Sequence, residues 1–289
     1  MAQEREIATR IVSLGELQEI VGAIRASAAS QMQQALRSLD AIRRYSETLR
    51  EALSDAVKML PTDEARPEST EIPKSGLIVF CGEHGLCGAF NERPLRVVEE
   101  IAKDRRKDFL LVVVGSRGGQ RCGEQGIQPD VILPMATHCA SVTAAARRLT
   151  TTIYRKLSDD SLATLEVVYS RSVTGEPSRI ERHRLLPLAI PNTDRQTLEL
   201  PPLINLPAHR LFDDVVAEYF FAALENAAME SFFSENSARF RTMEAAHRNI
   251  SNKTRDLTNL ARRLRQESVT TEILDLISGV QAESAAEGR

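Results

Sequence analysis

The chain has 289 residues, a net charge of −3, 42% hydrophobic, 27% charged and only 4% aromatic residues, with no Trp. That length allows two domains, or one domain with a large elaboration. The weak charge gives no reason to expect nucleic acid as the main partner, and no apolar run of about 18 residues exists to span a membrane.

Helix breakers divide the chain. All 12 prolines lie between Pro61 and Pro207, and ten of the 14 glycines lie between Gly76 and Gly175. Low aromatic content with much Ala, Arg, Glu and Leu suits long helices. The expected divisions are an N-terminal coiled-coil helix over 1–60, a linker over 61–75, a central α/β domain over 76–206 and a C-terminal coiled-coil helix over 207–289. The acidic start, Met1 to Glu6, leads straight into a helical pattern and does not read as a signal or transit peptide.

In the first segment, steps of four and three residues from Ile7 give a seam. It runs Ile7, Ile11, Leu14, Gln18, Val21, Arg25, Ala28, Met32, Ala35, Leu39, Ile42, Ser46, Leu49, Leu53, Ala56 and Leu60. Only Gln18, Arg25 and Ser46 break its apolar character. A seven-residue period kept this long predicts a left-handed coiled coil, over roughly 80 Å of helix. Gly15 and Gly22, with Ala26 to Ser30, make a stretch of small side chains. Close helix packing is its expected use; a smooth surface facing a partner is the alternative.

The middle segment alternates strands and helices. Gly76–Cys81 and Phe109–Val114 read as buried strands, and Val131–Leu133 as a shorter one. Asn91–Lys107 and Ser141–Leu157 read as helices, with Ser141 placed as an N-cap. Leu162–Val173 and Arg179–Leu188 are extended runs joined by a turn at 174–177. This predicts a mostly parallel sheet covered by helices, with an antiparallel edge.

The last segment contains neither Gly nor Pro from 208 to 278. Its seam is read as Met243, Ala246, Ile250, Lys253, Leu257, Leu260 and Leu264, with Leu274 in register and Gly279 as the stop. From Arg239 to Arg265 eight basic residues face only Glu244 and Asp256. A solvated face, an acidic partner surface and DNA are the three readings. Missing aromatics and an acidic remainder weaken the third. Both terminal helices are too long for a domain of this size to cover. Pairing them as an antiparallel coiled coil beside a Rossmann-like α/β domain is the simplest fold.

Few residues invite chemistry. Cys81 to Gly88 forms a Gly-rich turn between a strand and a helix, where α/β sheets bind phosphates, but it matches no phosphate-binding signature. A tight turn with small residues packed under a helix is the better reading, there and at Gly115 to Gly119. Cys87 is a candidate reactive thiol. Cys122, His138 and Cys139 lack a zinc spacing. The four cysteines do not pair as a disulfide framework. No catalytic residue, cofactor or metal ion is expected.

Three passages resemble the gamma subunit of F-type ATP synthases. The first is Arg10-Ile11, Ser13, Gln18, Ile20, Ala23, Arg25 and Ala28-Ala29-Ser30. The second is Gly85-Leu86-Cys87-Gly88 with Phe90-Asn91. The third and most specific holds Ser234-Glu235-Asn236, Ala238-Arg239, Met243, Ala245-Ala246, Asn249, Leu257, Arg265-Gln266, Thr270, Glu272-Ile273, Ile277 and Gly279. The resemblance implies a central stalk whose coiled coil turns inside a ring of alpha and beta subunits. Its base would dock on the epsilon subunit and the c-ring, at the cytoplasmic face of the bacterial inner membrane. It further implies partner contacts at Arg25, Arg265, Gln266, Thr270 and Glu272; Arg239, in the basic window, is a sixth candidate. The transported ion (proton or sodium) and the direction of turnover stay open. Gly15, Glu19, Gly22 and Gln31, where the family often has Lys, together with Glu83-His84 and Ala89, mark a divergent branch. A nucleotide-binding α/β enzyme with helical extensions and a coiled-coil adaptor are the competing readings.

Overall fold

Alternate residues of the central strands pack into two different cores, and this splits the sheet into two buried faces. A computed structural model describes residues 2–60, 74–104, 109–159, 162–172, 178–188 and 204–287. Its strands are β1 (Lys74–Phe80), β2 (Phe109–Val114), β3 (Val131–Leu133), β4 (Leu162–Arg171) and β5 (Arg179–Leu186), in the order β3-β2-β1-β4-β5. β1 pairs in parallel with β2 and β4, β2 with β3, and β5 closes the edge antiparallel to β4. The expected topology is therefore present. Most of the predicted linker and the turn at 174–177 lie outside the described residues.

Among the described residues five α-helices complete the fold: α1 (Ala2–Lys58), α2 (Glu92–Asp104), α3 (Ser116–Glu124), α4 (Val142–Asp159) and α5 (Ala208–Glu287). The chain forms two compact units, Ala28–Phe240 and Met1–Ser27 with Arg241–Arg289. In the first unit Ile78, Phe80, Val112, Val114, Leu165 and Val167 point into a core shared with α1, α4 and α5. Leu77, Val79, Leu111, Val113 and Val168 point the other way, into a core with α2 and α3. The period of two in a strand produces this division.

Within that unit α5 is buried on every side from Ala227 to Ser237. A helix buried all round is expected to be apolar, yet this stretch includes Glu230, Ser234, Glu235 and Asn236. Each has a partner. The Ser234 hydroxyl donates to the Ser170 carbonyl at 2.8 Å, and the Asn236 amide to the Phe232 carbonyl at 2.9 Å. Glu230 accepts two hydrogen bonds from Arg43 of α1, at 2.6 and 3.0 Å.

The second unit is an antiparallel helix pair. The Gln18 amide lies within hydrogen-bond reach of His247 Nε2 at 3.4 Å. Arg25 donates to Glu244 at 2.7 Å, and Val21, Met243 and Ile250 form the seam between them. All 16 predicted seam positions of the first segment, Ile7 to Leu60, are buried or half-buried.

Four expectations for the helices need correction. α5 continues through Gly279 to Glu287; one glycine costs a helix about 1 kcal/mol, too little to end one followed by Ala and Glu. Lys253 is exposed, as are Leu260 (41%) and Leu274 (58%), whereas Thr254, Ala261 and Ser268 are half-buried. The seam thus shifts by one residue after Ile250, because small Thr and Ala side chains fit between helices where Lys does not. Ser141 does not cap α4 with its side chain; its hydroxyl donates to the His138 carbonyl at 2.8 Å. Residues 116–119, read as a turn, open α3. Gly118 and Gly119 are helical because the helix is pressed onto the sheet. A Cβ at Gly118 would stand 2.1 Å from that of Cys81.

The glycines of α1 behave oppositely. A Cβ at Gly15 or Gly22 would meet nothing within 4 Å, so close packing within the chain does not require them. Gly22→Ala is therefore expected to stabilise the isolated chain by about 1 kcal/mol. Gly118→Ala should destabilise it by about 3 kcal/mol or more. Urea titration of the two variants checks both signs.

Candidate partner-binding surfaces

Two regions hold the residues singled out by sequence, one in each unit. In the sheet-bearing unit, the loop between β1 and α2 is tied down by carboxylates. The Gly82 N–H donates to Asn91 Oδ1 at 2.7 Å. The N–H groups of Glu83 and His84 both point at Glu235, each at 3.4 Å. Arg239, one helical turn from Glu235, pairs with that carboxylate and donates to the carbonyls of His84 and Gly85. Its side chain is only 11% exposed.

Glu83 reaches the other way. It accepts from Ser116 N and Oγ at 3.0 and 2.7 Å and from Met135 N at 2.8 Å. Burial opposes its ionisation, but these three hydrogen bonds outweigh it and hold its carboxyl below the usual range. The anchored loop carries Leu86 in a left-handed conformation (φ 62°) with its side chain 58% exposed. That backbone costs a non-glycine residue roughly 1–2 kcal/mol, and the flanking hydrogen bonds impose it.

This arrangement decides against a phosphate at the Gly-rich turn. The N–H groups of Gly82, Glu83 and His84, which open that turn, are already engaged, two of them by a carboxylate. Cys87 is buried, and burial pushes its thiol pKa up. It is not a poised thiolate. Cys81 is raised more strongly for the same reason. All four cysteines are free, and among the described residues no three His, Cys, Asp or Glu side chains converge as metal ligands do.

In the helix-pair unit, Arg25 is half-buried and committed to Glu244, which also accepts from Arg248 at 3.0 Å. The two guanidiniums hold the Glu244 carboxyl below its usual range. Arg265, Gln266, Thr270 and Glu272 are all exposed. The Thr270 hydroxyl donates to the Gln266 carbonyl, and Ser268 to Glu272 at 3.5 Å. These bonds are local, which leaves the outward side chains available. At about 100° per residue, the four occupy one side of α5.

Sequence reading missed what lies between them. Val269, Ile273 and Ile277 are each about half exposed and form a ridge at spacings of four. Ile273 points about 180° away from Leu264, the last half-buried leucine of the seam. α1 begins at Ala2, and the Gln18–His247 and Arg25–Glu244 pairings place that residue opposite about residue 265. Beyond about residue 265, none of the described residues of α1 lies alongside α5. The signal was present as apolar residues out of phase with the seam.

The comparisons agree with this geometry. A family model described as ATP synthase matches residues 3–282. The chain is 24% identical over 286 residues to the ATP synthase gamma chain of Clostridium botulinum (strain Loch Maree / Type A3), covering 96% of this chain and 97% of that one. It is 27% identical over 296 residues to the gamma chain of Caldanaerobacter subterraneus subsp. tengcongensis, covering 96% and 98%. The chain belongs to the ATP synthase gamma family. As a gamma chain it is the rotor stalk of an F-type ATP synthase, a subunit of that complex. Among solved structures it resembles a chain of the Euglena gracilis mitochondrial ATP synthase, described as OSCP/F1/c-ring in rotational state 3. That likeness has a TM-score of 0.69 at 15% identity and covers 99% of this chain and 96% of the other. A Tetrahymena thermophila central stalk/c-ring structure gives 0.55 at 22% identity, over 78% and 99%. Among the described residues of this gamma chain, no helix is long and apolar enough to cross a membrane.

Two outcomes test the anchored loop. Glu235→Ala leaves a buried Arg239 charge and two N–H groups unpaired. It should cost about 3–5 kcal/mol in denaturant unfolding and raise hydrogen exchange across residues 82–88. Because the Cys81 and Cys87 thiols have raised pKa values when folded, their contribution is complete below the ordinary thiol pKa and declines above it. Stability should therefore fall as pH rises past about 8.5, and alanine at both cysteines should flatten that alkaline limb.

Proposed function

We propose that the helix pair of this gamma chain turns inside a ring of alpha and beta subunits, while the sheet-bearing unit docks on the epsilon subunit and a ring of c subunits. One observation carries the first part: the apolar ridge Val269–Ile273–Ile277, about half exposed on the side of α5 turned away from its seam. Contiguous apolar surface of this kind marks a partner contact. Flanking polar residues suit a contact that must be remade at each step of rotation. Arg265, Gln266, Thr270 and Glu272 would exchange hydrogen bonds with successive subunits, and the apolar ridge would bear on the sleeve without a deep anchor.

Arg25 and Arg239 take different parts in this reading. Arg25 would meet the sleeve only with the N–H groups that Glu244 leaves free. Arg239 would act through the loop it braces, presenting Leu86 outward. Gly15 and Gly22, which no contact within the chain requires, would thin the face of α1 toward the sleeve. The docking of the base follows what solved relatives are described with, a c-ring among them. The bacterial relatives support placement at the cytoplasmic face of the inner membrane.

Ile273→Asp puts a charge on the ridge at a half-exposed position outside the buried cores of the described residues. The isolated protein should unfold within about 0.5 kcal/mol of wild type. Its affinity for the matching alpha–beta hexamer should drop at least about tenfold, measured by co-assembly and by ATP-driven ion pumping of the reconstituted complex. Unchanged assembly and pumping would remove the ridge from the interface.

A further inference from the structure

A cleft of about 470 Å³ opens in the sheet-bearing unit between α1, α5 and the β4–β5 face. The rotor reading makes no use of it. Its walls are unusually polar: α1 supplies Arg43 and Arg50, β4 supplies Tyr169 and Arg171, and α5 supplies Tyr219 and Asn226. Three guanidiniums on three different turns and strands converge on one concavity, and each offers five N–H donors.

Few of those donors are spent. Arg43 uses its Nε and one terminal nitrogen on Glu230 Oε1. Arg171 Nε stands 3.7 Å from the same oxygen, an ion pair too long for a hydrogen bond. Arg50 faces Glu47 at 3.4 Å, with both side chains more than half exposed, so that pair holds weakly. Arg171 Nε, Asn226 Oδ1 and Glu230 Oε2 are buried and have no hydrogen-bond partner among the described residues. Buried polar atoms in a native fold are normally satisfied, and three orphans in one neighbourhood single this place out.

The phenols add donors, not charge. Burial, with Glu230 and Glu181 nearby, pushes the Tyr169 pKa up to about 12. Burial also raises that of Tyr219, against the pull of Arg50. Both hydroxyls are neutral near pH 7. Burial lowers the pKa of His183, on the same wall, which favours neutral imidazole. Glu47 and Glu230 each have a guanidinium beside them; the unspent guanidinium N–H groups are donors, and Asn226 Oδ1 and Glu230 Oε2 are acceptors that the hydroxyl or amino hydrogens of a nucleotide would suit. Planar guanidinium forks match the oxygens of a phosphate group, and hydrogen bonds to a charged acceptor are the strong ones. The volume falls in the range of small-molecule sites, and two tyrosine rings give an aromatic wall.

We propose that this cleft binds a small phosphate-bearing anion up to the size of a nucleotide, held by Arg43, Arg50 and Arg171. The site lies on the gamma chain itself and needs no other subunit, so it stands or falls separately from the rotor contacts.

Isothermal titration of the full isolated chain with inorganic phosphate, ATP and adenosine tests it. Saturable binding of ATP at or below millimolar concentration is expected. Phosphate binding as well as ATP would locate recognition in the phosphate alone, and ATP binding more tightly would add the base; both outcomes support the site. Adenosine binding as tightly as ATP, or no binding of phosphate or ATP, would overturn it. Arg50→Gln removes a donor whose ion-pair partner among the described residues is the exposed Glu47, so its fold is safe. It should weaken binding about tenfold, and Arg171→Gln similarly. Arg148→Gln, on the exposed side of α4, should leave binding unchanged. Equal affinity in wild type and the Arg50 variant would also overturn the assignment.

Discussion

Glu230 and Glu235 sit on a stretch of α5 that has no solvent-facing side. Much of the sheet-bearing unit depends on this constraint. A carboxylate in such a place is strongly unfavourable unless paired, so each one recruits a partner from another element. Glu230 takes Arg43 from α1 and Arg171 from β4. Glu235 takes Arg239 one turn along and the backbone of the loop after β1. Apolar packing could hold α5 against the sheet by area alone, but it is tolerant of sliding. Directional pairs to a helix, a strand and a loop set its rotation and height.

The same economy explains the loop after β1. In an α/β sheet the first turn after a central strand is a natural anion site, because its N–H groups face outward. Here Asn91 and Glu235 occupy those of Gly82, Glu83 and His84, and the carboxylate of Glu83 ties the loop to the N–H groups of Ser116 and Met135. A position that many related folds use for chemistry has become a brace, and the strained, exposed Leu86 is its outward product. The rigidity suits a stalk, which must carry torque from one set of subunits to another without yielding.

The helix pair follows a different logic. Its seam is thin, with small residues at several positions and few buried leucines, and one ion pair, Arg25 to Glu244, fixes its register. Away from its seam the helix turns Val269, Ile273 and Ile277 outward. Exposed apolar surface favours cover by another protein, in agreement with membership in a family of rotary complexes.

Much of this was legible in sequence. The continuous apolar runs, the seven-residue pattern, the placement of Pro and Gly, and the run from Ser234 to Gly279 pointed to the strands, both long helices and the family, since each is a signal carried by neighbours along the chain. The seam of α5 was misread after Ile250, because Leu260 looks like a seam residue until the partner helix is in place to show that Ala261 is nearer. Gly118 and Gly119 read as a turn, since nothing in their own neighbourhood reveals that Cys81 and Ile132 press against them. Arg239 stood out as one of eight basic residues in a window. That it braces a loop 150 residues earlier depends on which carboxylate and carbonyls the fold brings to it. The cleft between α1, α5 and the sheet left no sequence signal, because its walls come from helices and strands far apart in the chain. Periodicity is a property of neighbours along the chain and can be read without a structure. Which side chains share a cavity, and which polar atoms stay unpaired there, is set by contacts between distant segments, and only the tertiary structure decides them.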